Sequence, residues 1–127
     1  MNTFDVIVIG GGTAGTNAAR TAAHMDKEVL LVHKPEVLNI CIEKGCMPSK
    51  SILAAAEVAE IARDAARFGI QIEGDIRPKF TEIMDRKNVH VDRFMTALRE
   101  KIASDPYEVM QGTASFLPND EGLEIIH

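Results

Sequence analysis

The apolar residues of this chain form short continuous runs and longer stretches at helical spacing, a mixture typical of α/β proteins. Val6 to Ile9 and Val29 to Val32 are continuous runs of the kind found in parallel strands that are covered on both faces. The alanine-rich stretch from Thr13 to Met25 predicts a crossover helix between them. This β-turn-α-β unit has about thirty residues, the size of a dinucleotide-binding half. Because crossover connections join strands of one sheet, we expect the two strands to be adjacent and parallel.

The remaining sequence predicts two further helices and a set of short strands. Residues Ser49 to Arg67 have apolar side chains at helical spacing, and Phe68-Gly69 ends that stretch. A second long helix follows Pro78 and closes at Asp105-Pro106, since the residue before a proline disfavours helix. The segment from Tyr107 to His127 has the pattern of short strands. We expect the helices that begin at Thr13 and Ser49 to flank a small parallel sheet.

Composition narrows the functional classes. The chain has 127 residues, of which 46% are hydrophobic and 26% charged, as in a soluble single-domain protein. The net charge of -5 and the lack of a Lys and Arg cluster argue against a nucleic-acid surface. The sequence shows neither a signal peptide nor a run approaching the roughly 18 apolar residues of a membrane span. We therefore expect a cytoplasmic protein, in which paired cysteines do redox or metal chemistry more often than they form structural disulfides.

The glycine-rich turn after the first predicted strand carries a dinucleotide-binding pattern, Gly10-x-Gly12-x-x-Gly15. The first glycine permits a tight turn, the second lets the backbone approach a pyrophosphate, and the third lets the helix pack on the strand. The positive end of the helix that begins near Thr13 would face the phosphates. An unliganded glycine-rich turn is the alternative, but the strand before it and the helix after it favour a nucleotide site.

The acid that usually binds the ribose hydroxyls at the end of the second strand is absent, and His33 occupies its place. A neutral imidazole can accept one hydrogen bond, whereas a carboxylate can accept two at once. His33 could equally be a solvent-facing residue at a strand end. Glu36 is close in sequence but follows Pro35, and we do not assign it a role.

Cys41 and Cys46 are the only cysteines, and four residues separate them. Zinc ligands are one interpretation, but the candidate partners are scattered without ligand spacing: His24, His33, His90 and His127. Two inert buried thiols are another. Gly45 and Pro48 indicate a tight turn that leads into a helix. The helix N-terminus and nearby lysines would stabilise a thiolate there. A redox pair fits these residues best, and we predict no metal site.

The glycine loop followed by Cys41-x4-Cys46-Met-Pro-Ser-Lys50 resembles the amino-terminal part of the pyridine nucleotide-disulfide oxidoreductases. That family includes dihydrolipoyl dehydrogenase, mercuric reductase and glutathione reductase. Residues Gly112 to Phe116 resemble the family's small-x-small-x-Phe stretch near the adenine. The resemblance covers essentially the whole chain but only about the first quarter of a family polypeptide.

The resemblance implies an α/β, Rossmann-like FAD-binding domain over residues 1–127, incomplete at its C-terminus, with the NAD(P)-binding and interface domains outside the chain. Cys46 would face the flavin and Cys41 would exchange with substrate. Lys50 would lie near the flavin ring and Ala114 near the adenine. The resemblance assigns FAD to these further positions: Gly10, Gly12, Thr13, Ala14, Gly15, His33 and Lys34.

The function implied by the resemblance is a dithiol/disulfide oxidoreductase that moves electrons between NAD(P), FAD and a Cys41–Cys46 disulfide. The substrate would be a small dithiol or disulfide, the intact protein a homodimer, and this chain alone inactive. The resemblance is strongest to dihydrolipoyl dehydrogenase, and Ser49 slightly favours that enzyme or mercuric reductase over glutathione reductase. A mercuric or glutathione reductase-like enzyme and a non-catalytic nucleotide-binding module are the alternatives. One departure from the family is Leu38-Asn39-Ile40, where members usually have Gly-Gly-Thr.

Overall fold

The computed structural model describes residues 3–118 and 123–126. The elements occur in the order β1 (Val6–Ile9), α1 (Thr13–Ala23), β2 (Val29–His33), α2 (Ile40–Glu43), α3 (Cys46–Arg63), a 3₁₀ turn (Ala65–Phe68), α4 (Phe80–Ser104), β3 (Glu108–Gln111), β4 (Thr113–Phe116) and β5 (Leu123–Ile126). The chain divides into two compact units: Met1–Cys41 with Leu98–His127, and Ile42–Ala97. Helix α4 begins in the second unit and ends in the first.

The first unit contains a three-stranded parallel sheet in the order β1-β2-β3. Val6 of β1 pairs with Val29 of β2, and Leu30 of β2 pairs with Glu108 of β3. The predicted adjacent, parallel arrangement of the first two strands is confirmed. All five residues of β2 are buried, which is why its sequence reads as a continuous apolar run rather than an alternating one.

Helix α1 packs on one face of this sheet. The centre of the contact is Ala19 on α1 with Val29 and Leu31 on β2, and partly buried apolar residues of β1 and Tyr107 surround it. Ala19 is fully buried, and its small side chain brings the helix close to the strands. The fold is therefore α/β, with a parallel sheet and a flanking helix, as the sequence predicts.

Helix α1 ends two residues before the predicted Met25, at Ala23. The amide of Met25 donates to Ala22 O at 3.0 Å, and that of Lys27 donates to the same oxygen at 3.3 Å, so the last carbonyls of the helix close a turn. Asp26 adopts a positive φ of 59°, which reverses the chain direction. The helical spacing continues past Ala23, but the backbone does not follow it.

The predicted start of the third helix is wrong, because α3 begins at Cys46 rather than at Ser49. Pro48 is the third residue of the helix, where a backbone N–H would have no partner within the helix. The proline is therefore compatible with the first turn instead of preceding it. At the other end α3 stops at Arg63, short of the predicted Arg67, and a separate 3₁₀ turn follows, which Gly69 terminates with a φ of 75°.

The long helix after Pro78 is confirmed as α4, and the strands predicted after Tyr107 are confirmed as β3, β4 and β5. Strands β4 and β5 pair antiparallel, with Thr113 opposite Ile126. The sequence also predicts a turn at Asn119 to Gly122, which lies outside the described residues. Strand β4 follows β3 after the single residue Gly112, whose amide donates to His33 O at 2.9 Å.

A partly buried ion pair joins α1 to the segment that leads into β3. Arg20 donates from Nε and Nη2 to the carboxylate of Asp105, with a shortest N–O distance of 2.7 Å. The hydrogen bonds from Arg20 hold the pKa of Asp105 below its usual value, against the opposing effect of burial. Burial is the largest cause that raises the pKa of Tyr107 to about 12, and the interaction with Asp105 raises it further.

We expect Asp105→Asn to lower the free energy of unfolding at neutral pH by roughly 2 kcal/mol, because Arg20 loses charge-assisted hydrogen bonds while remaining largely buried. Since the folded pKa of Asp105 is depressed, its contribution is present above the unfolded carboxyl value. It is lost as the pH falls through the folded value. Urea unfolding should therefore separate the two proteins at neutral pH and bring them together from about pH 5 towards pH 2. A constant difference at every pH would contradict this assignment.

Candidate active site

The glycine loop joins β1 to α1 in the first unit. Gly10 has a φ of 107°, a backbone conformation that residues other than glycine rarely adopt. Its amide donates to Val32 O at 2.7 Å, which ties the start of the loop to the end of β2. The turn therefore begins at the carboxyl edge of the parallel sheet, where ligands bind in open α/β folds.

Gly12 and Gly15 face very different surroundings. A Cβ on Gly15 would lie 1.9 Å from Gly10 O and 3.3 Å from Val8 Cγ1, so only glycine permits the first turn of α1 to approach the strand. A Cβ on Gly12 would meet nothing within 4 Å. Gly12 is the N-cap of α1 and no side chain caps the helix, so its bare Cα and the first helical amides are open to a ligand.

Gly11 has a packing role that the sequence pattern does not assign. A Cβ on Gly11 would lie 2.6 Å from Leu38 Cδ1 and 3.3 Å from His33 Cβ. Leu38 thus packs onto the bare Cα of Gly11. Gly11, the middle glycine of the run, leaves room for the Leu38 side chain to cover the loop.

A cavity of about 370 Å³ lies at the carboxyl edge of the sheet within the first unit, in the range of small-molecule pockets. Five of the predicted cofactor residues line it: Gly10, Gly12, His33, Lys34 and Ala114. Its other lining is mainly apolar, with Val37, Leu38 and Ile40 on the segment after β2. Ala114 lies about a hundred residues from the glycine loop in sequence. It lies near the loop in the structure because β4 follows β3 after a single residue. Thr13, Ala14 and Gly15 continue the loop into α1 without lining the cavity.

His33 is held in a fixed orientation at the end of β2. It is 8% exposed, and its Nδ1 lies 2.8 Å from Lys34 O. A carbonyl oxygen only accepts, so Nδ1 carries the proton of this hydrogen bond and Nε2 is the acceptor of the neutral ring. Lys34 is exposed. No acidic side chain lines the cavity among the described residues, so His33 and Lys34 are its ionisable groups there.

Asn39 is a buried polar residue that sequence analysis did not identify as functional. It is 2% exposed. Its Oδ1 accepts from the amide of Cys41 at 3.1 Å, and its Nδ2 donates to Thr13 Oγ1 at 3.4 Å. Only the position of Asn39 between the glycine loop and Cys41 could have indicated this role, because an isolated asparagine carries no motif.

The two cysteines are free thiols that lie in different units. Cys41 is half-buried on the one-turn helix α2, and Cys46 is the exposed first residue of α3. The resemblance implies that Cys41 exchanges with substrate and that Cys46 faces the flavin, yet in this chain Cys46 is the more exposed of the two thiols. Lys50, on the same helix, is also exposed.

Metal-binding clusters and membrane-spanning helices are both absent from the described residues. No group of three or more His, Cys, Asp or Glu side chains there could hold a metal ion. Within 3–118 and 123–126, no helix is both long enough and apolar enough to cross a membrane.

The comparisons with known proteins agree with this arrangement. The family model described as pyridine nucleotide-disulphide oxidoreductase matches residues 4–120. The chain belongs to this family. A dihydrolipoyl dehydrogenase of Bacillus subtilis (strain 168) is 33% identical over 114 residues, which are 90% of this chain and 24% of that protein. A dihydrolipoyl dehydrogenase of Chlamydia trachomatis is 36% identical over 118 residues, which are 93% of this chain and 25% of that protein.

Structural comparison gives the same fold for a member of the wider group. The Cu(II) complex of the HOCl-induced flavoprotein disulfide reductase RclA from Escherichia coli superposes with a TM-score of 0.77 at 24% identity. The superposition covers the whole chain and 25% of that protein. The chain thus spans about a quarter of the length of the relatives it matches.

Proposed function

We propose that this chain is the FAD-binding part of a flavin-dependent dithiol/disulfide oxidoreductase resembling dihydrolipoyl dehydrogenase. The main support for this proposal is the cavity at the carboxyl edge of the sheet, which is lined by Gly10, Gly12, His33 and Ala114. The chain belongs to the matching family and also contains the Cys41-x4-Cys46 sequence. NAD(P) would bind elsewhere in the intact protein. The proposal includes a small-molecule dithiol or disulfide as substrate.

The cavity passes a simple test of fit for the adenosine diphosphate half of FAD. A pyrophosphate needs close backbone approach and free amides, and the bare Cα of Gly12 and the uncapped start of α1 provide both. The apolar lining from Val37 and Ala114 suits an adenine ring. His33 Nε2 would accept one hydrogen bond from a ribose hydroxyl in place of the two that a carboxylate accepts.

Bound flavin would supply the two-electron chemistry that connects a nicotinamide with the cysteine pair. The chain's own contribution is thiol–disulfide exchange. One cysteine thiolate attacks a sulfur of the substrate disulfide, which forms a mixed disulfide and releases the first substrate thiol. The second cysteine then attacks the protein sulfur of that bond, releases the second thiol and closes the Cys41–Cys46 disulfide. Substrate gains two electrons and two protons; oxidation of a dithiol runs the same steps in reverse.

FAD binding tests the nucleotide site, with Gly12→Ala as the decisive variant. Gly12 has a φ of -67° and free space around its Cα, so alanine leaves the fold intact but places a methyl group where the pyrophosphate approaches. We expect at least a tenfold weaker affinity for FAD than in the unaltered chain, or about 1.4 kcal/mol. Quenching of flavin fluorescence on titration measures this. Equal affinity, with circular dichroism showing both proteins folded, would contradict the site; no binding by either protein would favour a module without flavin.

A further inference from the structure

The side chain of Asn39 lies between the glycine loop and the first cysteine. Asn39 is only 2% exposed, and its carboxamide is hydrogen-bonded at both ends. Buried carboxamides are retained where their hydrogen bonds are satisfied. Asn39 thus makes a connection that a glycine at the same position could not make.

The direction of the carboxamide follows from its partners. The amide of Cys41 can only donate, so the Asn39 atom 3.1 Å away is Oδ1. The amino group Nδ2 then faces Thr13 Oγ1, at 3.4 Å, and donates to it. Asn39 is also the residue before α2, and an asparagine there caps the turn that carries Cys41.

The other end of this connection lies at the nucleotide loop. Thr13 is the first residue of α1 and directly follows the open Gly12. Since Thr13 Oγ1 accepts from Asn39, its own hydroxyl proton remains available for a second acceptor such as a phosphate oxygen. A ligand that binds this hydroxyl would therefore reach Cys41 through one intervening side chain.

We propose that Asn39 is a positioning residue that couples the nucleotide loop, through Thr13, to the reactivity of the Cys41 thiol. The phosphate-bearing ligand rests on the proposed function, whereas the link from Thr13 to Cys41 does not. Loss of the link loosens the turn that holds the half-buried thiol, so its alkylation by iodoacetamide accelerates. Asn39→Ser retains an oxygen that can cap Cys41 but is too short to reach Thr13, so it breaks the hydrogen bond to Thr13 while keeping the cap.

The link is tested by a double-mutant cycle on the reduced chain without ligand. We expect Asn39→Ser and Thr13→Val each to accelerate Cys41 alkylation about threefold, as for one neutral hydrogen bond, and the double variant to react no faster than either. Thr13→Ser, which keeps the hydroxyl, should restore the original rate. Thr21→Val, an exposed position of α1, is the matched control.

Trypsin cleaves after Lys44 and so separates the two cysteines for mass spectrometry, with Cys46 as the internal reference. Additive effects, or no change at Cys41, would overturn the link.

ADP is the probe for the coupling. In the unaltered chain we expect saturating ADP to slow Cys41 alkylation at least twofold, and in Asn39→Ser to leave it unchanged while calorimetry still shows ADP bound. An equal effect of ADP in both proteins would overturn the coupling. If ADP binds neither protein, the nucleotide site of the proposed function fails, and the ligand-free cycle still decides whether Asn39 connects Thr13 to Cys41.

Discussion

Gly15→Ala is expected to lower the free energy of unfolding by about 3 kcal/mol or more, a large part of the stability of a small domain. The added Cβ would lie 1.9 Å from Gly10 O and 3.1 Å from Gly10 C, and both atoms belong to the backbone. Neither can rotate away as the end of a side chain could. Alanine favours helix over glycine by about 1 kcal/mol, but this gain is smaller than the cost of moving α1 off the strand.

Gly12→Ala is the control for this prediction, because it adds the same methyl group three residues earlier in the same loop. With no atom within 4 Å of its Cβ, we expect the free energy of unfolding to change by less than about 1 kcal/mol. Urea unfolding followed by far-ultraviolet circular dichroism compares the two variants. Similar stabilities would mean that the close approach of Gly15 to Gly10 is not required by the fold.

The sequence predicts the sheet well because its determinants are local. A short continuous apolar run is either a strand or a segment of buried helix, and the lengths of β1 and β2 exclude a helix. The prediction of burial on both faces is confirmed for β2 but wrong for β1, in which Ile7 and Ile9 are exposed. The glycine spacing likewise fixes where the turn must be tight and where the helix must approach the strand. Both signals lie within about fifteen residues of each other.

The parts that sequence analysis missed depend on contacts between distant residues. The packing of Leu38 on Gly11 and the hydrogen bond from Asn39 to Thr13 each join residues that are more than twenty positions apart. The start of α3 was misplaced because a proline signals both a helix boundary and a first-turn position. The exposure of the two thiols could not be derived from the resemblance, since it depends on the local structure around each cysteine near the starts of α2 and α3.

We expect that replacing either cysteine by serine stops disulfide exchange after its first step, the formation of the mixed disulfide. Treated with oxidised glutathione, the unaltered chain should lose both thiols and end without an adduct, since the second cysteine displaces glutathione from the first. Cys41→Ser and Cys46→Ser should each retain one glutathionyl group, because the displacing thiol is gone. We expect release of the second glutathione to fall by at least about a hundredfold, as exchange then requires a thiol from solution.

The order of reaction follows from exposure. Cys46 is the exposed thiol and Cys41 is half-buried, so the first adduct should form at Cys46, opposite to the order implied by the family resemblance. Intact-mass analysis of quenched samples measures adducts, and the tryptic peptides on either side of Lys44 assign them. Both serine variants should keep the free energy of unfolding of the unaltered chain, because neither thiol is fully buried. Stable glutathione adducts on the unaltered chain, with no intramolecular disulfide, would contradict the redox pair and favour two independent thiols.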